Sequence, residues 1–244
     1  MKAGIKIVQM RGTIFLPENI GYTEDNATKF QALLMPNGTI GNVFLGGNMP
    51  IAAAPQWGGP WCLTQTENGQ TKQIMFLPNK IDVIAYNDNG YDAEAEKSFI
   101  TECKMSFYKI FEELGETTKL TRLAYAPLLV IEKEQQPHKG IFNKILNIKS
   151  EETDYITDRD VTFTLKREVV INGKNILLNL LHKISDGYQT ITTIGNPTKK
   201  EIYMLQLDIN TVVEQRYKFE KNDVESFYDK VIELKNSLID NLNI

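Results

Sequence analysis

The chain has 244 residues, of which 42% are hydrophobic and 24% are charged. This composition is typical of a folded globular protein and excludes a disordered, collagen-like or coiled-coil chain. Twenty-seven Lys and Arg against 31 Asp and Glu give a net charge of −4, so a nucleic acid is the least expected partner because no overall positive field attracts phosphates. At about 150 residues per domain, the length lies between one large and two small domains.

Cysteine, histidine and glycine patterns predict a chain without cofactors. Cys62 and Cys103 are too few for a disulfide scaffold, which favours a reduced, cytoplasmic protein. No Gly-Lys-Ser or Gly-Lys-Thr loop is present to bind a nucleotide phosphate, and two histidines do not suffice for a histidine-based metal site. Because Lys6, Gln9 and Arg11 interrupt the first apolar pattern and no run of about 18 apolar residues occurs, we expect neither secretion nor membrane insertion.

The N-terminal part of the chain predicts strands. Alternating apolar residues over 5–16 predict a first strand. Dense Gly and Pro over 17–60 predict short strands separated by turns. Asn68-Gly69, between apolar segments, is the strongest hairpin signal, and a further strand is expected over 80–86.

A long helix is expected next. Phe99, Cys103, Phe107, Ile110 and Leu114 recur at steps of three or four, which places them in one stripe along a helix. Gly115 directly follows Leu114 and is typical of a helix C-terminal cap.

The C-terminal part repeats this order of strands followed by a helix. Strands are expected over 120–132, 161–171, 175–184 and 201–215, and Asn172-Gly173 predicts a second hairpin. A closing helix is expected over 223–242, with Asn222 as its N-cap and Glu225 completing a capping box.

A shift of 128 residues lays 72–114 on 200–242 without a gap. The shift pairs Ile74 with Ile202 in the strands and Phe99 with Phe227 in the helices. We therefore predict an α+β fold with antiparallel sheets, one long helix per half and an internal duplication of a unit of several strands and a helix. The predicted halves are 1–119 and 120–244, which share one core.

Three short blocks resemble a known family. They are Gln73-Ile74-Met75-Phe76-Leu77 with the following Tyr91 and helix, Arg122-Leu123-Ala124-Tyr125, and Leu207-Asp208-Ile209 before the last helix. In order and spacing they resemble the "lqi", "RigLRY" and "LDiD" strands of a sporadically distributed family of uncharacterised bacterial proteins. The chain departs from that pattern at Ala124 and Asn210. The resemblance implies an architecture and a setting among phages, mobile elements or bacterial defence genes, and it implies no chemistry.

Trp57 and Trp61 are candidate binding residues. They are the only tryptophans and lie in a stretch rich in Gly and Pro, where loops often expose what they carry. Tryptophan is enriched in binding hot spots, although a tryptophan that closes the end of a sheet is an equal alternative. The edges of an antiparallel sheet offer a second way to bind, by strand addition.

Arg122, His182 and Asp208 are the other candidates. His182 lies on an apolar strand, where an oriented imidazole could serve as a general base. Arg122 presents a planar fork that could form an ion pair or a ligand clamp with a strand carboxylate such as Asp208. For each of them a purely structural role is the alternative.

These observations favour a non-enzymatic protein-binding or regulatory protein, chaperone-like in action. It would bind a protein partner through a sheet edge or the Trp57 and Trp61 loop, and it would self-associate as a homo-oligomer. The alternative is a small-molecule or nucleotide-binding protein, enzymes included, with a pocket between the halves lined by Arg122, His182 and Asp208. A structural component of a phage or mobile element is a third hypothesis.

Overall fold

The computed structural model describes residues 5–43, 55–115, 118–132, 160–193 and 196–241. Of the described residues about 50% lie in strands and 30% in helices, and they form one large antiparallel sheet and three α-helices. The strands are β1 (Ile5–Phe15), β2 (Thr39–Asn42), β3 (Trp61–Glu67), β4 (Gln70–Leu77), β5 (Lys80–Tyr91), β6 (Arg122–Tyr125), β7 (Leu128–Glu132), β8 (Asp160–Ile171), β9 (Lys174–Thr193) and β10 (Asn196–Thr211). The helices are α1 (Glu24–Leu34), α2 (Ala93–Leu114) and α3 (Lys221–Asn241).

The ten strands form a single sheet in the order β2-β3-β4-β5-β1-β6-β10-β9-β8. β7 shares the position of β6, because both strands pair with β1 on one side and β10 on the other. Each half of the chain supplies a three-stranded meander followed by a helix, and each adds a strand to the centre. The mixed α+β class and the antiparallel sheet are therefore confirmed.

All three helices pack on the same face of the sheet. On β1, a Cβ added to Gly12 would lie 2.8 Å from the Cys103 Sγ of α2 and 3.1 Å from the Tyr228 hydroxyl of α3, so this strand needs glycine where the helices approach. Phe30 of α1 packs on Phe76 of β4, with ring centroids 5.1 Å apart. We call this the helix-covered face and the opposite one, on which no described helix lies, the open face.

The core lies between the sheet and the helices. One row of directly opposed residues crosses five strands on the helix-covered face: Trp61, Phe76, Ile81, Ile14 and Leu123. All five are fully buried. Since burial of one large apolar side chain stabilises a fold by about 1.5–3 kcal/mol, rows of this kind hold the two halves together.

Both predicted hairpins are confirmed. Asn68 and Gly69 join β3 to β4 with φ of 51° and 74°, and Asn172 and Gly173 join β8 to β9 with φ of 48° and 74°. Positive φ at both central residues is what a two-residue turn of this hand requires. The predicted stripe of α2 is buried from Phe99 to Ile110 and partly buried at Leu114, and Gly115 caps the helix at φ 91°.

The structure corrects the expectation of short strands separated by turns over 17–60. This stretch contains α1, which begins at the N-cap Thr23, whose side chain accepts a hydrogen bond from the Asn26 amide. Its buried residues, Ala27 and Phe30, are spaced by three. The signal was present in the sequence, but the surrounding Gly and Pro obscured it.

Other boundaries differ from those predicted: β9 continues to Thr193 rather than 184, and β10 covers Asn196–Thr211 rather than 201–215. The strand expected over 120–132 is divided into β6 and β7 by Ala126 and Pro127. α3 begins two residues before its predicted start, because the Asp223 carboxylate accepts a hydrogen bond from the Glu220 amide at 2.9 Å. Asp223 rather than Glu225 therefore closes the first turn of this helix.

The gapless 128-residue register holds for the helices and is not confirmed for the strands. α2 begins at Ala93 and α3 at Lys221, which are 128 residues apart. The same shift places the turn at Pro78 and Asn79 inside β10, which runs unbroken over Asn196–Thr211. No described helix is both long and apolar enough to cross a membrane.

Candidate functional site

The two tryptophans occupy opposite environments. Trp61, the first residue of β3, is fully buried and stacks on Phe76 with ring centroids 4.0 Å apart and an interplanar angle of 3°. Its indole Nε1 donates a hydrogen bond to the Ile20 carbonyl at 3.0 Å. Trp57 is 73% exposed. Only Trp57 is therefore placed to contact a partner, and Trp61 is part of the core.

The loop that carries Trp57 is fixed to the segment before α1. The Gly58 amide donates to the Tyr22 carbonyl at 2.8 Å, and the Tyr22 amide donates to the Gly59 carbonyl at 3.0 Å. Gly58 has a φ of 73°, which suits glycine. These backbone bonds present the Trp57 ring to solvent on an anchored turn.

A row of mostly polar residues crosses the centre of the open face. Asp82, Thr13, Ala124, Asn210 and Asn179 oppose one another in turn on β5, β1, β6, β10 and β9. The Thr13 hydroxyl donates to Asp82 Oδ1 at 2.6 Å, and Asn179 Nδ2 donates to Asn210 Oδ1 at 3.3 Å. Because Asp82 is only 2% exposed, its charge is held by hydrogen bonds inside the sheet surface.

Arg122 and Asp208 belong to this face and meet through Asn210. Arg122 lies over the Phe15 ring at 4.7 Å and donates to Asn210 Oδ1 at 2.8 Å and to the Thr211 carbonyl at 3.2 Å. Asn210 Nδ2 in turn donates to Asp208 Oδ1 at 3.0 Å. The structure thus brings two of the predicted residues together, with an amide between them.

His182 lies on the other side of the sheet. It opposes Leu207 of β10, two residues before Ile209, which opposes Tyr125 on the helix-covered face. The imidazole is buried and stacks on Phe163 at 4.5 Å. Burial holds the pKa of His182 below its usual value, so the ring is neutral at neutral pH. His182 cannot line one pocket with Arg122 and Asp208, since the sheet separates them.

A buried ion pair lies under the helices, and sequence reasoning missed it. Glu96 of α2 accepts a hydrogen bond from Lys235 of α3 and one of 2.8 Å from the Tyr125 hydroxyl. Burial, and secondly the Glu96 charge, raises the pKa of Tyr125 well above its ordinary value, so Tyr125 stays protonated and donates. Glu96 is typical of a helix first turn, and nothing in the sequence indicates that it has a buried partner 139 residues away.

One nitrogen of a guanidinium on β1 is buried in the open face without a described hydrogen-bond partner. The buried Nε of Arg11 has no hydrogen-bond partner among the described residues. Arg11 lies two residues before Thr13, on the same face, with buried Ile84 opposite it on β5. In the sequence, Arg11 stands out only as an interruption of an apolar segment. Its polar character inside a central strand was the available signal.

β8 is a long edge strand of the sheet. It pairs with β9 over its whole length, from Asp160 opposite Ser185 to Ile171 opposite Lys174. No described strand lies on its other side. The opposite edge, β2, has only four residues. An extended segment could therefore add most readily at β8.

The described residues include no group of three or more His, Cys, Asp or Glu side chains arranged to hold a metal ion. Comparisons of the chain with protein-family models, with curated proteins and with solved structures found no match.

Proposed function

We propose that this chain is a non-enzymatic protein-binding protein, regulatory or chaperone-like, that binds by strand addition at β8. The occupant we propose for this edge is a second copy of the chain. One observation carries the proposal: the twelve residues of β8, Asp160–Ile171, pair with β9 on one side, and no described strand pairs with them on the other side. Main-chain hydrogen bonds along such an edge supply affinity, and alternating side chains supply specificity.

The sequence of β8 fits a second antiparallel copy of itself. In a two-fold pairing centred on Leu165, each copy of Leu165 faces the other, Val161 faces Val169 and Phe163 faces Arg167. These residues all lie on the helix-covered face, by their register with β9. The leucine and valine side chains of the two copies therefore make apolar contacts, and Phe163 attracts Arg167 by a cation–π interaction. These contacts continue the core across the edge of β8.

Charges on β8 do not oppose this register. Lys, Arg and Glu in an edge strand usually prevent strand addition. In the pairing centred on Leu165, Lys166 faces Thr164 and Glu168 faces Thr162, so no two like charges are directly opposed. Leu165 is 46% exposed in the single chain and would be covered by the second copy.

The test is the mass of the protein in solution over a range of concentrations, measured by sedimentation. We expect a monomer–dimer equilibrium in the wild type. Leu165→Lys places two ammonium groups face to face and should weaken the dimer by about 100-fold. Met105→Lys is the matched control, since Met105 is 56% exposed on α2 and away from β8. A wild type that stays monomeric, or a Leu165→Lys dimer of unchanged strength, contradicts the proposal.

Trp57 is a separate surface from β8, because β3 and β8 lie near opposite ends of the sheet order. Trp57→Ala should therefore leave the dimer equilibrium unchanged. If Trp57→Ala weakened the dimer as much as Leu165→Lys does, the assignment of the interface to β8 would be wrong.

We also propose that the two halves arose by internal duplication. The sheet order supports this proposal, since β3-β4-β5-β1 on one side is matched by β8-β9-β10 with β6 and β7 on the other. The equal spacing of α2 and α3 supports it as well.

The resemblance to the sporadically distributed bacterial family supports a setting near phage, mobile-element or defence genes, and the two cysteines support a cytoplasmic location. The genes beside this one test that setting. A neighbourhood of ordinary metabolic genes in all occurrences would count against it.

A further inference from the structure

We propose that the open face carries a binding site for an oxyanion group, a carboxylate or a phosphate, of a small ligand, and that Arg11 is the centre of this site. The site is distinct from the edge of β8 and does not depend on strand addition there. The Nε donor of Arg11 is buried without a hydrogen-bond partner among the described residues.

The surroundings of Arg11 concentrate its charge. Its two directly opposed neighbours are Ile84 on β5 and Ala126, which exchanges backbone hydrogen bonds with Arg11 at 2.8 and 3.2 Å. Both are buried and apolar. Fewer waters reach a cation between such neighbours, so its attraction to an anion is stronger than on an open surface.

The carboxylate diagonal to Arg11 is already engaged. Asp82 accepts hydrogen bonds from the Thr13 hydroxyl at 2.6 Å and from Lys80 Nζ at 2.8 Å. These two partners use both of its oxygens. An oxyanion of a ligand would supply the negatively charged partner that the Arg11 fork lacks among the described residues.

Tyr86 adds a neutral donor beside Arg11. It opposes Gln9 on β1, two residues from Arg11 and on the same face. Burial raises the pKa of Tyr86, whereas Arg11 acts in the opposite direction and Asp82 raises it further. The hydroxyl thus keeps its proton at neutral pH and can donate to an anionic oxygen.

This set of donors selects an oxyanion. A guanidinium offers parallel N–H groups that match two oxygens of a carboxylate or phosphate, and the Tyr86 hydroxyl offers another donor. A cationic or purely apolar ligand would leave these donors unsatisfied. Both a carboxylate and a phosphate fit these donors, and separate titrations distinguish them.

The test is calorimetric titration of the full chain at low ionic strength, with inorganic phosphate in one arm and succinate in the other. We expect saturable binding of at least one. Arg11→Gln should weaken it by at least about tenfold and Tyr86→Phe by less, because a charged partner contributes more than a neutral one. Lys97→Gln, which removes one positive charge from the exposed side of α2, is the matched control and should bind as the wild type does.

A second measurement separates binding from a structural role. The Arg11 Nε makes no hydrogen bond to a described residue that the substitution could remove. Without ligand, Arg11→Gln should therefore melt at or above the wild-type temperature. Phosphate or succinate should raise the melting temperature of the wild type and not of Arg11→Gln.

Absence of saturable binding in both arms overturns the proposal. Equal weakening by Arg11→Gln and Lys97→Gln also overturns it, since that result reflects net charge alone. The outcome is independent of strand addition: Leu165→Lys should bind the anion as the wild type does, and Arg11→Gln should keep the wild-type dimer equilibrium.

Discussion

Trp57 and Trp61 are four residues apart, and their different environments follow from strand register. Trp61 begins β3 opposite Phe76, whose face is covered by the helices, so its ring enters the core. Trp57 precedes the strand on a turn whose backbone bonds to Tyr22 and leaves the ring outside. Neighbouring Gly and Pro cannot distinguish these outcomes, because they indicate a loop without showing where the next strand begins.

Truncating the two tryptophans should therefore have unequal effects. Trp61→Ala removes a fully buried ring and should lower the free energy of unfolding by about 3–5 kcal/mol. Trp57→Ala should change it by less than about 0.5 kcal/mol. Urea titration followed by circular dichroism measures both, and similar losses would show that Trp57 is also packed.

The Glu96–Lys235 pair shows a second effect at the residue scale. Its two charges are taken out of water, so each requires the other. Lys235→Met should destabilise the fold by about 3–5 kcal/mol, because it leaves the Glu96 carboxylate buried and uncompensated.

The double variant Glu96→Gln with Lys235→Met should recover most of that loss, since neither charge of the pair then remains buried and the amide oxygen can still accept from the Tyr125 hydroxyl. Lys230→Met on the same helix is the control: Lys230 pairs with Glu233 at the surface and should cost less than about 1 kcal/mol. A double variant less stable than Lys235→Met would contradict this prediction, because the loss in Lys235→Met would then not come from the unpaired Glu96 charge.

At the scale of elements, short sequence motifs predicted the hairpin turns. They did not predict the strand and helix boundaries that depend on residues distant in the sequence. Asn68-Gly69 and Asn172-Gly173 set their turns by backbone preference alone, and both hairpins were predicted. The division of β6 from β7 follows from Pro127, which lacks an N–H, yet the apolar run on both sides concealed it. The start of α3 depends on Asp223, whose partners come partly from the β8–β9 turn.

Asp223 makes the start of α3 sensitive to acid. Burial alone would raise its pKa, but hydrogen bonds from Lys174, the Glu220 amide and Asn172 outweigh burial and lower it. A lowered carboxyl pKa contributes stability above the unfolded-state value, and this contribution is lost as pH falls through the folded-state value. Wild-type stability should thus decline below about pH 4.

Asp223→Asn should be less stable at pH 7 and should lose less stability on acidification. Unfolding free energies measured by urea titration between neutral and acid pH give both slopes. Asp229→Asn, at a largely exposed carboxylate on the same helix, should keep the wild-type slope. An unchanged acid slope in Asp223→Asn would locate the acid-sensitive group elsewhere.

For the whole molecule, the central feature is that the halves share one sheet and one helix layer. β1 pairs with β6 and β7, and the Tyr228 hydroxyl of α3 donates to the Ala124 carbonyl at 2.9 Å. Composition and length left one or two domains open, since neither reports which strands pair. The open-face residues were equally hidden: Arg11 and Tyr86 are 75 positions apart in the sequence and meet only through the β1–β5 register.

Unfolding of both halves should therefore be a single transition. Both tryptophans lie before residue 62, so their fluorescence reports the first half only. Phe227→Ala in α3 should shift the fluorescence midpoint and the circular dichroism midpoint by the same amount. A fluorescence midpoint that does not move would show that the first half unfolds independently.

The position of β1 has a consequence for how the protein is made. β1 is synthesised long before β6 and β7, which it needs on one side of the sheet. Until residues 122–132 emerge from the ribosome, a nascent chain that has already paired β1 with β5 keeps an exposed central edge beside Gly12 and Ile14. The interval before the second half arrives is when the growing polypeptide is most exposed to pairing with a neighbouring chain.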